Sequence, residues 1–181
     1  MEAASRRSTS CVLAAVLACA LSEAGEPPSA FGIDSVRKLI AELGPQKAAE
    51  QVSSDSTMLE AVASGVASAR PEWLELGVQL AGPAEAYLKD RLVQSFSLAL
   101  QRDALAVLER GAAGLPLAAV CGYDPFTGVD SLKTRKEFYE ALVPRERAVA
   151  AVKRADLAAA KDTCLAALAH LKEVGAKQYE P

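Results

Sequence analysis

The residue types in this chain best suited to chemistry are two cysteines, Cys121 and Cys164, one histidine, His170, and several carboxylates with helical spacing. A thiol beside an imidazole is a nucleophile with its base. Cys164 and His170 lie six residues apart, and six residues turn a helix by roughly 600°, which puts them on largely different faces. Cys121 meets His170 only across space, and it is better used in a disulfide. A single histidine also excludes any site that needs two, and so most catalytic zinc centres. Glu72 with Glu75, and Glu137 with Glu140, each lie three apart on one helix face, the spacing an acid–base pair would use. Helix surfaces carry such pairs routinely, so they read first as solvated faces. No serine sits in a G-x-S-x-G elbow, and no glycine-rich phosphate loop is present. We therefore expect no catalytic, metal-binding or cofactor-binding residues.

Two features could instead touch a partner. The run Cys121-Gly122-Tyr123-Asp124-Pro125-Phe126-Thr127-Gly128 is the most irregular stretch of the body. Loops on a rigid scaffold often carry function, and Tyr123, Asp124 and Phe126 would present two aromatic rings beside a charge. Turn chemistry accounts for the same residues: Asp-Pro makes a turn and the rings tuck into the core. Trp73, the only tryptophan, falls in the first turn of a helix opened by Pro71, near the surface. Tryptophan is enriched at binding hot spots, although it serves more often as a core plug. Arg145, Arg147, Lys153 and Arg154 form a basic patch, which Glu146 and Asp156 offset, so it reads as a solvated face.

The N-terminus has the parts of an address. Arg6 and Arg7 precede an apolar run from Cys11 to Leu21, and small residues offer cleavage at Ala18-Cys19-Ala20 or Ser22-Glu23-Ala24. A basic start, a short apolar stretch and small-x-small define a secretory signal. The run is shorter than the roughly 20 apolar residues that span a bilayer. Residues 1–24 are thus expected to be a signal peptide, with 25–33 a linker containing Pro27-Pro28. Val16-Leu17-Ala18-Cys19 also resembles a bacterial lipobox, which would make Cys19 a lipidation site. Export leaves Cys121 and Cys164 as a pair in an oxidising compartment, where two thiols usually join.

The body, residues 34–174, is expected to be one all-α domain, with 175–181 a frayed tail. The chain is 51% hydrophobic and 24% charged, with only 5% aromatics. Its apolar set is rich in Ala and Leu, which favour helices. Asp34 or Ser35 caps a first helix with Val36, Leu39, Ile40 and Leu43 on one stripe, and Gly44-Pro45 stops it. Leu59, Val62, Ala63 and Val66 face inward from the next long segment. Pro71 opens another, Gly82-Pro83 breaks it, and a helix from about Ala84 to Gln101 follows. Asp103 caps a short helix, and Pro116 to about Val120 makes a brief one. Asp130 or Ser131 caps a helix that carries Phe138 and Leu142 and is kinked at Pro144. The last helix, from about Asp156 to Val174, points Ala160, Cys164, Leu168 and Leu171 inward. No alternating run is long enough for a strand. Short helices closed by Gly or Pro predict an orthogonal helical array or stacked helical hairpins.

Net charge is −3, and Glu2, Arg6, Arg7 and Glu23 cancel within the leader, so its removal leaves that balance unchanged. A mildly acidic body argues against nucleic acid as partner, which calls for clustered cations. The stretches Pro71-Glu72-Trp73-Leu74-Glu75-Leu76, Val120-Cys121-Gly122 and Lys161-Asp162-Thr163-Cys164-Leu165 resemble small exported helical proteins of Gram-negative bacteria, a group with no assigned activity. That resemblance implies a periplasmic setting and a structural role for the two cysteines. We expect an exported, non-catalytic domain that binds another protein, such as an inhibitor or an immunity protein. The alternatives are an outer-membrane lipoprotein scaffold acylated at Cys19, and a periplasmic hydrolase working through carboxylates such as Glu137 or Glu140. Only export or a lipid anchor links it to a membrane, and the oligomeric state is left open.

Overall fold

The computed structural model describes residues 31–111, 115–127 and 134–179. Every regular element among them is helical. The α-helices are α1 (Ile33–Ser54), α2 (Ser56–Ala67), α3 (Pro71–Ala81), α4 (Ala86–Ala99), α5 (Ala104–Gly111), α6 (Leu117–Cys121), α7 (Arg135–Ala151) and α8 (Ala158–Gly175). Short 3-10 turns, Ala155–Leu157 and Ala176–Gln178, flank α8. The all-α class holds. No described helix is long and apolar enough to cross a membrane. The proposed signal peptide and Cys19 lie outside the described residues.

Local signals explain most boundaries. Gly44 has φ 77°, ψ 162° and breaks α1 into two arms, with Pro45 opening the second. A left-handed φ is where glycine has no steric cost, so the first helical arm stops at Gly44 and a second opens at Pro45, as the Gly-Pro pair predicts. Asp55 caps α2, its Oδ1 accepting from Thr57 N–H at 2.8 Å and Met58 N–H at 3.1 Å. Asp103 does the same for α5, accepting from Ala106 N–H at 3.0 Å.

Three starts and stops differ from expectation. Gly32, not Asp34 or Ser35, is the N-cap of α1; Asp34 lies in the first turn and pairs with Arg37 at 3.4 Å. Phe31 and Ile33, assigned to the linker, pack against the core, which draws the chain into the fold earlier. Asp130 and Ser131 lie outside the described residues, and Thr134 caps α7 in a reciprocal box with Glu137. Finally, the segment expected to fray after Val174 continues through Gly175 and the 3-10 turn to Tyr179, which packs on Phe126 and Phe138. Residues 180–181 lie outside the described set.

One contiguous core runs through the molecule, from Val36 and Val52 to Leu168 and Leu171. Helix α2 packs on α4 and α1, α1 on α3, α4 on α6, and α8 on α6 and α7. Small residues let neighbouring helices approach closely in the core. Trp73 is 4% exposed and lies against Gly65 of α2, where an added Cβ would overlap the indole ring. The tryptophan expected near the surface is thus a core plug: Gly65 leaves room for it to turn inward. It offers no partner surface.

Polar side chains close several helix ends. The Lys161 ammonium donates to Ala150 O at 2.7 Å and Val152 O at 2.8 Å, satisfying the last carbonyls of α7 from α8. Arg102 Nη1 donates to Ala67 O at 2.8 Å, closing the end of α2. We predict that Gly65→Ala lowers stability by about 2 kcal/mol, because overpacking forces the rigid indole to shift. Gly82→Ala meets nothing within 4 Å and should stay near wild type in a urea denaturation series.

Candidate functional site

The irregular segment after α6 is where the most unusual side chains converge. Cys121, the last residue of α6, is joined to Cys164 in the middle of α8. Both are buried, and the Cα atoms stand 5.2 Å apart. The bond spans 43 residues, and a loop of that order stabilises by roughly 4 kcal/mol in the chain-entropy account. The pairing consumes both thiols, and His170 lies on the exposed side of α8.

The loop that leaves Cys121 turns as Asp-Pro chemistry dictates. Asp124 Oδ1 accepts from Phe126 N–H at 2.8 Å, and Asp124 O accepts from Thr127 N–H at 3.2 Å. The second carboxylate oxygen accepts from the Tyr179 hydroxyl at 2.5 Å. The Tyr179 ring stacks on Phe138 at a centroid distance of 4.7 Å and 24°, and meets Phe126 edge-on at 5.8 Å and 77°. Tyr123 and Phe126 are half-buried and packed against the core. Of the expected partner contacts, Tyr123, Asp124 and Phe126 therefore do cluster, but around a residue of the chain itself.

Arg145 completes the cluster and corrects the sequence reading. It is only 1% exposed and is among the largest fully buried side chains. It does not belong to the solvated basic face, which Arg147, Lys153 and Arg154 keep. Its Nη1 donates to Tyr123 O at 2.6 Å, while its buried Nε has no partner. Burial pushes the guanidinium down to about 10, and attraction from Asp124 opposes the shift. The cation is retained at neutral pH. Its charge hides this residue among charged neighbours, although its place three residues after Leu142 and four before Val149 puts it on the inner face.

The carboxylates expected as candidate acid–base groups are not assembled. Glu137 Oε2 accepts from Thr134 N–H at 2.8 Å, and Glu140 lies 3.8 Å from Lys136 on the exposed face of α7. Thr134-Arg135-Lys136-Glu137 is a capping box, a signal present in the sequence. Glu72 and Glu75 line an open recess of about 320 Å³ with Arg37, Ile40, Leu76 and Gln79. A second surface groove, about 540 Å³, runs between α5 and α7 over Leu105, Ala148, Ala151 and Val152. Arg102 and Lys153 stand on its rim, and Arg154 there is tied to Glu109 at 2.6 Å and Asp156 at 2.5 Å. No group of three or more metal-ligating side chains occurs among the described residues.

Arg145→Ala should cost about 3 kcal/mol, since it leaves a cavity and strands Tyr123 O. Arg145→Met should cost clearly less, because it fills the volume without a buried charge; chemical denaturation of both variants separates packing from charge. Burial, reinforced by Asp124, raises the Tyr179 phenol, and burial and Asp90 raise that of Tyr123. The unfolded chain loses these protons from pH 10.0, while the folded chain keeps them longer. The fold thus binds more phenolic protons, and this contribution to stability is lost as pH climbs above that value. Tyrosinate absorbance of the folded protein should show a late component that Tyr179→Phe reduces and that Tyr123 still contributes to.

In comparisons with known proteins, no family model matches the chain, and no curated protein or solved structure matches it.

Proposed function

We propose that the chain is an exported, non-catalytic domain that binds another protein through the surface around residues 121–127. The observation that carries this is the construction of that loop. It leaves a buried disulfide, is held beneath by the Arg145 bond to Tyr123 O, and keeps Tyr123, Asp124 and Phe126 half-exposed. A rigid loop bearing aromatic rings beside a charge loses little freedom on binding, which favours affinity. The basic, apolar and small-residue pattern of residues 1–24 supports export, as does the pairing of Cys121 with Cys164. An inhibitor or immunity protein suits this description. The Val16-Leu17-Ala18-Cys19 pattern supports a variant of the reading in which Cys19 is acylated and residues after it tether the domain to the outer membrane.

Intact mass of the chain recovered from the periplasm, with and without reductant and a thiol label, tests the address. A mass lacking the leader, with no thiol labelled before reduction, is the expected result. An added acyl mass on a peptide beginning at Cys19 selects the anchored form. A full-length mass with two free body thiols overturns export. The binding surface is tested by placing a photocrosslinking residue at Tyr123 or Thr127, with Glu42 on α1 as control. A discrete adduct with one other protein from the first two positions alone is expected; equal adducts at all three positions, or none, would sink the assignment.

A further inference from the structure

The seat that holds Tyr179 is also anchored by contacts that do not involve Tyr179. Phe138 on α7 is fully buried, packed against Gly175 of α8 and under the Tyr179 ring. Asp124 is oriented by the Phe126 N–H through its other oxygen. The loop itself is anchored by the disulfide and by Arg145. Tyr179 arrives differently, at the end of a 3-10 turn in which Lys177 and Gln178 are exposed. Its described polar contact is one hydrogen bond, to Asp124, and its ring contacts are with Phe126 and Phe138. A preorganised receptor that holds a side chain on a short tether is the arrangement of an internally occupied binding site.

We infer that this seat is a tyrosine-binding site, filled in cis by Tyr179 and taken by a tyrosyl side chain of the partner protein when Tyr179 swings out. The inference rests on the protein-binding reading above and names the partner's chemistry. The two rings select an aromatic ligand by stacking and edge contact. The Asp124 carboxylate selects a free hydroxyl donor over a bare ring, and rejects a phosphorylated one by like charge. Because Tyr179 competes, an outside tyrosine binds the intact chain more weakly than the chain with the seat empty.

The test uses p-cresol as probe, with toluene for comparison, followed by NMR on the full-length chain. Tyr179→Ala should bind p-cresol saturably, with shifts centred on Phe126 and Phe138. Wild type should bind at the same residues about tenfold more weakly, with the Tyr179 signals moving as it is displaced. Adding Asp124→Asn to Tyr179→Ala should weaken p-cresol about tenfold, the scale of one hydrogen bond to a charged group, and leave toluene unchanged. If Tyr179→Ala does not fold, Tyr179→Phe keeps the ring and loses only the hydroxyl contact, and p-cresol should then bind more tightly than to wild type. Absence of saturable shifts in a folded variant overturns the site. So does equal binding of toluene and p-cresol, which would mark a mere hole, and so does a Tyr179 that stays seated at saturating probe. A position-specific adduct at Tyr123 or Thr127 together with any of those results would leave protein binding standing without this seat; loss of both would remove the reading altogether.

Discussion

The bond between Cys121 and Cys164 is the constraint on which the second half of the molecule depends. Helix α6 has only five residues, far too few to be stable alone, since helix nucleation is costly and short helices rely on packing. The disulfide ties its last residue to the middle of α8, and α4 also packs on it. With Cys121 placed, the next residues have little freedom. Tyr123 O comes to rest over Arg145, and Asp124 turns back on Phe126 N–H. A covalent tie thus substitutes for the hydrophobic area that a longer helix would have buried.

That placement sets a polar cluster at the margin of the core, with Arg145 as its buried member. A guanidinium withdrawn from water needs acceptors, and a buried cation left without them is strongly destabilising. Arg145 has one carbonyl acceptor, the attraction of Asp124 and an unpartnered Nε. Asp124 in turn is shared among Arg145, the Phe126 N–H and the Tyr179 hydroxyl. The charges are held in a chain of contacts, so removing any one member affects the others. By contrast, the exposed pairs, such as Lys38 with Glu42 at 3.8 Å, add little to stability.

The first half is organised by close packing. Gly65 lets the Trp73 indole lie flat against α2, and the same helix rests on α1 and α4. Arg91 then reaches Glu60 at 2.6 Å across the α2–α4 contact. Lys172 and Glu146 make the corresponding pair between α8 and α7. These pairs sit at the margins of apolar contacts and set register more than they add energy.

Helical class, the glycine and proline breaks, and the inward stripes of α2 and α8 were legible because each is a local property of spacing and backbone preference. Leu59, Val62 and Val66 of α2, and Cys164, Leu168 and Leu171 of α8, are buried as their periodicity requires. The joining of Cys121 and Cys164 was legible only on the expectation of export, which would set aside Cys11 and Cys19 and leave these two as a pair. Other features depended on groups distant in sequence. Trp73 is inside because Gly65, eight residues earlier and on another helix, leaves room. Arg145 is inside because a carbonyl 22 residues away accepts from it. Tyr179 is ordered because Asp124, 55 residues away, takes its hydroxyl. Spacing along the chain determined which side chains share a helix face; only the tertiary structure decided which polar groups find partners once water is excluded, because hydrogen-bond satisfaction depends on distances that periodicity does not contain.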